Sequence, residues 1–251
     1  MVGHLLDETF CARILLTISP MFWKKLCASG YRGNMQHKIK WCYLCREKEN
    51  LTSDHVPPEN LFPKPRPSNL ITVPCCNACN GSYSKLDEQF RAFISAAVNV
   101  SPTGKEVMRS KVVGSSFKRS PALRKQMGKG AMIGSLSTPL GKFKVPLITV
   151  DCHDFDKFFI RLTKGLLANF YPHINYFDAE FTVKQLSQFG SRYPSFAALT
   201  SNLVADQRGD GVFRFWRGIA QEDGQTAGVW LYQFYDAALF MVSHKAAPTA
   251  R

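Results

Sequence analysis

The sequence predicts an α+β fold: a small zinc-stabilised strand–strand–helix module, then a basic segment, then an α+β C-terminal domain. Three observations carry this. Two Cys-x-x-Cys pairs bracket a strand, a proline-rich loop and a second strand; apolar residues recur at helical spacing after the second pair; and the C-terminal part alternates a helix-period stretch with aromatic-rich strand patterns.

The chain has 251 residues, 45% of them apolar and 20% charged, enough for one large domain or two small ones. Its formal net charge of +13 and pI near 9.5 favour an anionic partner, nucleic acid or an acidic membrane surface. Residues 101–150 hold ten Lys and Arg against the single Glu106, whereas residues 151–251 balance ten against ten. Asp7 and Glu8 stand where a signal peptide keeps positive charge, and the apolar run from Ala12 to Trp23 is too short for a bilayer and is interrupted by Pro20. The expectation is a cytoplasmic protein without a membrane partner. Met35 lies close ahead of the first cysteine pair, so residues 1–34 are read as an extension outside the working fold, 35–100 as the metal module, 101–150 as a basic helical or linker region, and 151–251 as the C-terminal domain.

In an intracellular chain of this size, thiols at metal-ligand spacing indicate a metal site rather than disulfides. "WCYLCREKE" supplies Cys42 and Cys45, and "PCCNACNGSYSK" supplies Cys76 and Cys79. Four thiolates close a tetrahedral coordination sphere, as structural Zn2+ requires, and such an ion stabilises a module too small to rely on its core. Cys75 competes with Cys76 as the ligand. Cys11, Cys27 and Cys152 have no partner at useful spacing and read as small buried hydrophobes.

"ENLTSDHV" reads as a short strand ending at Asp54 and His55, and "PPENLFPKPRPS" must be irregular because of its five prolines. "NLITV", Asn69 to Val73, is a second strand by its β-branched content. Leu86, Phe90, Phe93, Ile94, Ala97 and Val98 then mark a helix from about Asn77 to Asn99, ending before Ser101-Pro102.

"CYLC", "SDHVPP", "NLITV" and "CNACNGSYSK", in that order over residues 42 to about 90, resemble the zinc-stabilised HNH endonucleases, whose ββα-metal module binds a divalent ion and cleaves phosphodiesters. Where that pattern often has a third-position His, this chain has Asn80, the HNN form. The resemblance implies that Asn69 orients His55 and that Lys85 contacts a phosphate. In that setting His55, an imidazole titrating near neutrality, is the general base that takes the proton of the attacking water. Asp54 and Asn80 supply the oxygen donors that Mg2+ or another divalent cation prefers. Each of these residues alone is ordinary: an Asp-His pair is common surface sequence, Asn80 suits a helix start, and Lys85 suits an exposed helix face. Glu59 reads as a solvent-facing loop carboxylate or a further donor near the metal. Joint placement in one module is what makes the set a candidate site.

Beside such a module the basic run becomes a backbone-tracking surface, with Lys118, Arg119, Arg124 and Lys125 expected to contact phosphates of double-stranded DNA. Ser120-Pro121 starts a helix that Gly128 stops. "FKVPLITVD" reads as a strand, and Asp151 as the cap of a helix whose face is Phe155, Phe158, Phe159, Leu162, Leu166 and Phe170. "GVFRFWRGIA" and "GVWLYQFYDAALFMVSH" read as strands, whose aromatics beside Arg214 and Arg217 are assigned to core packing over base stacking. The functional expectation is a metal-dependent HNH endonuclease acting on DNA; its rival is a zinc-stabilised DNA-binding module that does not cleave.

Overall fold

The computed structural model describes residues 39–97, 99–129, 131–138, 141–148, 155–186, 196–197, 200–222 and 225–246. Strand β1 (Leu51–Val56) pairs antiparallel with β2 (Ile71–Cys76), placing Asp54 opposite Val73 and His55 opposite Thr72. The second strand therefore starts two residues later than its composition indicates. Asn69 sits in an exposed turn after Pro67, and the strand runs on through Pro74, whose carbonyl accepts from the Tyr43 N–H at 3.0 Å.

The loop joining the strands is fastened despite its prolines. A single 3-10 turn, Glu59–Leu61, buries Leu61 and Phe62 completely. The Tyr235 hydroxyl donates to the Leu61 carbonyl at 2.7 Å, and the Lys111 ammonium donates to the carbonyls of Asn60, at 3.1 Å, and Phe62. Burial, with help from the charges of Arg91 and Arg66, brings the Lys111 ammonium down to about 8.

The helix expected over 77–99 is two helices. α1 (Asn77–Ser82) is capped by Cys76 and carries Asn80 and Gly81, poor helix formers; Tyr83 then ends it, and α2 (Ser84–Ser95) begins. Helix α3 (Pro102–Val107), capped by Ser101, continues as a π-helical stretch, Met108–Ser116, and a last turn, Phe117–Arg119. α4 (Pro121–Lys129) starts at the expected proline. Val112, Leu123 and Met127 cluster with Ala92 of α2, so the basic segment has its own apolar anchor on the module. A separate hairpin follows, β3 (Ala131–Thr138) with β4 (Gly141–Ile148).

α5 (Asp156–Phe170) buries the apolar face read from its period, including Phe158, Phe159, Leu162, Leu166 and Phe170. Its N-cap is Phe155; the expected cap, Asp151, lies outside the described residues. The remaining strands, β5 (Glu180–Gln185), β6 (Val204–Arg208), β7 (Phe213–Glu222), β8 (Gln225–Phe234) and β9 (Ala238–Ala246), form one antiparallel sheet in the order β5-β9-β8-β7-β6. Alternation along β7, β8 and β9 sends Phe213, Phe215, Trp230, Tyr232 and Phe240 into one core and Trp216, Val229, Leu231 and Met241 into a second.

The first core is continuous. It contains Cys42, Tyr43, Val56 and Val73 from the module, Phe90 from α2, Phe158 and Leu166 from α5, and Tyr232 and Phe234 from the sheet. Phe90 is its pivot: its ring stacks on Phe158 at 3.8 Å and meets Phe155, Phe159 and Phe234 edge-on. α5 lies very close to β1, since a Cβ on Gly165 would stand 2.6 Å from a methyl of Val56. That approach decides which α5 side chain reaches β1.

Candidate metal centre and active site

Cys42 and Cys45 come from the turn before β1, and Cys76 and Cys79 from the junction of β2 and α1. The four ligand atoms lie within 4.8 Å of one another. The Cys45 and Cys76 sulfurs are 3.7 Å apart. A zinc ion with Zn–S bonds of about 2.3 Å requires sulfur–sulfur edges of about 3.8 Å, so the cluster is sized for a tetrahedral ion. Burial opposes ionisation of Cys42, but the N–H groups of Cys76, Leu44 and Cys45 outweigh it and bring the thiol down to about 7. The backbone thus favours the Cys42 thiolate, whereas burial and the Cys76 and Cys45 sulfurs push the Cys79 thiol up.

The structure separates the two adjacent cysteines. Cys76 belongs to the cluster and caps α1, with its sulfur 3.5 Å from the Cys79 N–H. Cys75, on the other face of β2, is fully buried in the core and outside the four-sulfur group; its sulfur lies 3.9 Å from that of Cys42, and burial pushes its thiol up.

The strand residues Asp54 and His55 point to different sides. Asp54 is 5% exposed and shares its face with Thr52, two residues back. Asn80 is tied to that face, donating from Nδ2 to the Thr52 hydroxyl at 3.2 Å, while Thr52 donates to the Cys75 carbonyl at 2.9 Å. The two expected oxygen donors therefore lie on the same side of the hairpin. Asp54, however, already has partners. The Tyr43 hydroxyl donates to it at 2.7 Å, and Arg161 Nε of α5 lies 3.5 Å away.

Arg161 is 4% exposed and gathers groups from three other segments. Its Nη1 donates to Asp87 of α2 at 2.8 Å, its Nε donates to the Tyr43 hydroxyl at 3.2 Å, and its guanidinium lies over the Tyr83 ring at 4.7 Å. Burial opposes its charge, but Tyr43, Asp87 and Asp54 together hold it firmly protonated. A divalent ion placed about 4 Å from that guanidinium would meet a repulsion on the order of 8 kcal/mol at an effective dielectric near 20. The donor set does not fit a divalent cation while Arg161 holds its place.

His55 is half-buried at the end of β1 and lines a small pocket with Tyr43 and Arg161, floored by Phe158 and Leu162. Outside the pocket, His55 Nδ1 lies 3.9 Å from Glu59 Oε2, and the same oxygen accepts Arg66 Nη1 at 3.1 Å. Asn69, expected to orient His55, is exposed in its turn and makes no hydrogen bond to it. Lys85, Lys118, Arg119, Arg124 and Lys125 are all exposed, with Arg119 Nη2 donating to Glu88 at 3.2 Å. Arg217 is buried, its guanidinium 3.9 Å from the Phe170 ring centroid, and Phe213, Phe215 and Trp216 are core residues.

Sequence reasoning did not find Tyr43, Asp87, Arg161 or the Glu59–Arg66 pair. One signal was available: an arginine between Phe159 and Leu162 on an otherwise apolar helix face needs a buried acid. No helix among the described residues is long and apolar enough to cross a membrane. No family model matches the chain, and neither a curated protein nor a solved structure matches it.

Proposed function

We propose that the protein is an HNH-type endonuclease acting on phosphodiester bonds of DNA, with His55 as the general base. The observation that carries this reading is the position of His55: near the end of the first strand of a ββα unit whose feet are joined by four cysteines, with a side chain that solvent reaches. A general base must reach solvent as well as a bound phosphodiester, and the partly exposed strand end leaves the His55 imidazole within reach of water. Exposed Lys85 and the basic surface of α4 supply positive charge for a polyanion. No step is routed through a divalent ion at Asp54 and Asn80, because the Asp54 carboxylate is taken up by Tyr43 and Arg161.

That engagement favours a second reading, a zinc-stabilised DNA-binding module without cleavage. Plasmid nicking with Mg2+, Mn2+ or Ni2+ by the wild type and by His55→Ala, with zinc measured in both, decides between them. The nuclease reading requires nicking by the wild type and its loss in a variant that keeps about one zinc and its fold. Duplex binding without nicking under every metal gives the second reading.

A further inference from the structure

Asp54 stands where the resemblance would put a ligand of an exchangeable cation, yet its cation comes from the chain. We propose that Arg161 is a built-in counter-cation that occupies this seat permanently, so that Asp54 binds no divalent ion and serves to hold the guanidinium in place. The inference concerns the proposed site but does not depend on cleavage.

The guanidinium is surrounded much as an ion would be. Asp54 of β1, Tyr43 from between the first cysteine pair and Asp87 of α2 present oxygens to its edge at 3.5, 3.2 and 2.8 Å, and the Tyr83 ring covers its face. These groups come from three separate segments of the chain: the turn that carries Tyr43, β1 with Asp54, and the start of α2, where Tyr83 and Asp87 stand one helical turn apart. Tyr43 is flanked by two cysteines of the metal cluster, and Tyr83 marks the junction of α1 and α2. Arg161 itself is delivered by the close contact of Gly165, one helical turn on, with Val56, two residues after Asp54. Asp54 and Asp87 cannot both be buried without a cation between them, and planar guanidinium nitrogens can serve both at once. Arg161 projects from a helix that lies in the continuous core shared by the module and the sheet.

The test uses the full-length, zinc-loaded protein and Mn2+ as the probe, followed by electron paramagnetic resonance. Wild type and Asp54→Asn should show the same Mn2+ binding, with no site that the substitution removes. Arg161→Met should gain a Mn2+ site, and its thermal midpoint should rise on Mn2+ addition while that of the wild type does not move. Mn2+ bound by the wild type and lost in Asp54→Asn overturns the proposal, even if Arg161→Met fails to fold. Nicking measured on the same samples separates the two claims. Nicking lost in His55→Ala, with a Mn2+ site lost in Asp54→Asn, would keep the nuclease reading and remove this one. Absence of both nicking and an Asp54-dependent Mn2+ site would do the reverse.

Discussion

Arg161 Nη1 donates to Asp87 Oδ1 at 2.8 Å with both side chains buried, joining a helix of the C-terminal part to the helix of the cysteine module. The bond also places Nε beside Asp54, so one side chain balances two acids across the seam between the units. Removing it by Arg161→Met leaves two carboxylates without a counter-charge in the interior, and the expected loss is about 3–5 kcal/mol. Arg161→Lys should recover little, because a single ammonium cannot span Asp87, Tyr43 and Asp54 as the fork does. Urea denaturation of the three proteins, zinc-loaded, is the measurement; near-wild-type stability of the Lys variant would show that charge alone suffices.

Gly165 makes a prediction contrary to helix propensity. Alanine is the better helix former by about 1 kcal/mol, so Gly165→Ala in an unconstrained helix would stabilise. Here the added Cβ would stand 2.6 Å from one Val56 methyl and 3.0 Å from the other. Moving α5 away would draw Arg161 from Asp54, so the substitution is expected to cost about 1–3 kcal/mol net. Gly165→Ala combined with Val56→Ala relieves the clash, and a partial recovery of the thermal midpoint in the double variant checks the cause.

The neighbouring cysteines should behave in opposite ways. Cys42→Ser and Cys79→Ser each remove one of four clustered donors, and each is expected to lose the bound zinc and destabilise the module. Cys75→Ser keeps all four and should retain about one zinc per chain, at a stability cost of about 1–3 kcal/mol for a hydroxyl placed in the core. Metal content by mass spectrometry on purified proteins distinguishes these outcomes, and zinc loss in Cys75→Ser would show that the wrong cysteine has been assigned to the cluster.

What was legible in the sequence was what physics imposes locally. Metal geometry fixes ligand spacing, so Cys42, Cys45 and Cys79 could be named from their intervals, and the ambiguity at Cys75 and Cys76 persisted because strand alternation, not spacing, separates them. The apolar face of α5 followed from its period. Asn69 was placed in a strand because composition does not show where a turn ends, and β3 was missed because Gly134 and its serines dilute the β-branched signal. The Arg161 network was hidden for a different reason: Tyr43 and Arg161 are 118 residues apart, and their meeting depends on a tertiary approach fixed by Gly165.

Two buried groups should give stability opposing dependences on pH over one window. Burial lowers His244 to about 4; its Nδ1 accepts from Trp230 Nε1 at 3.2 Å, and its Nε2 has no hydrogen-bond partner among the described residues. Unfolding raises that group toward its ordinary value near 6.5, so its contribution is present above about 6.5 and is lost as pH falls toward about 4. Asp87 is shifted the other way: burial, only partly offset by Arg161, raises it to about 6. Its contribution is fully present below about 4 and is lost as pH rises through about 6. The two dependences oppose each other between about pH 4 and 6.5, so the slope of the wild type should lie between those of the two single variants. Single substitutions uncover the slopes. Asp87→Asn should lose stability on acidification across that window, and His244→Gln should gain it. Urea midpoints at a series of pH values give the slopes directly, whatever the absolute cost of each substitution, and parallel curves for the two variants would contradict the assignment of these groups as its source.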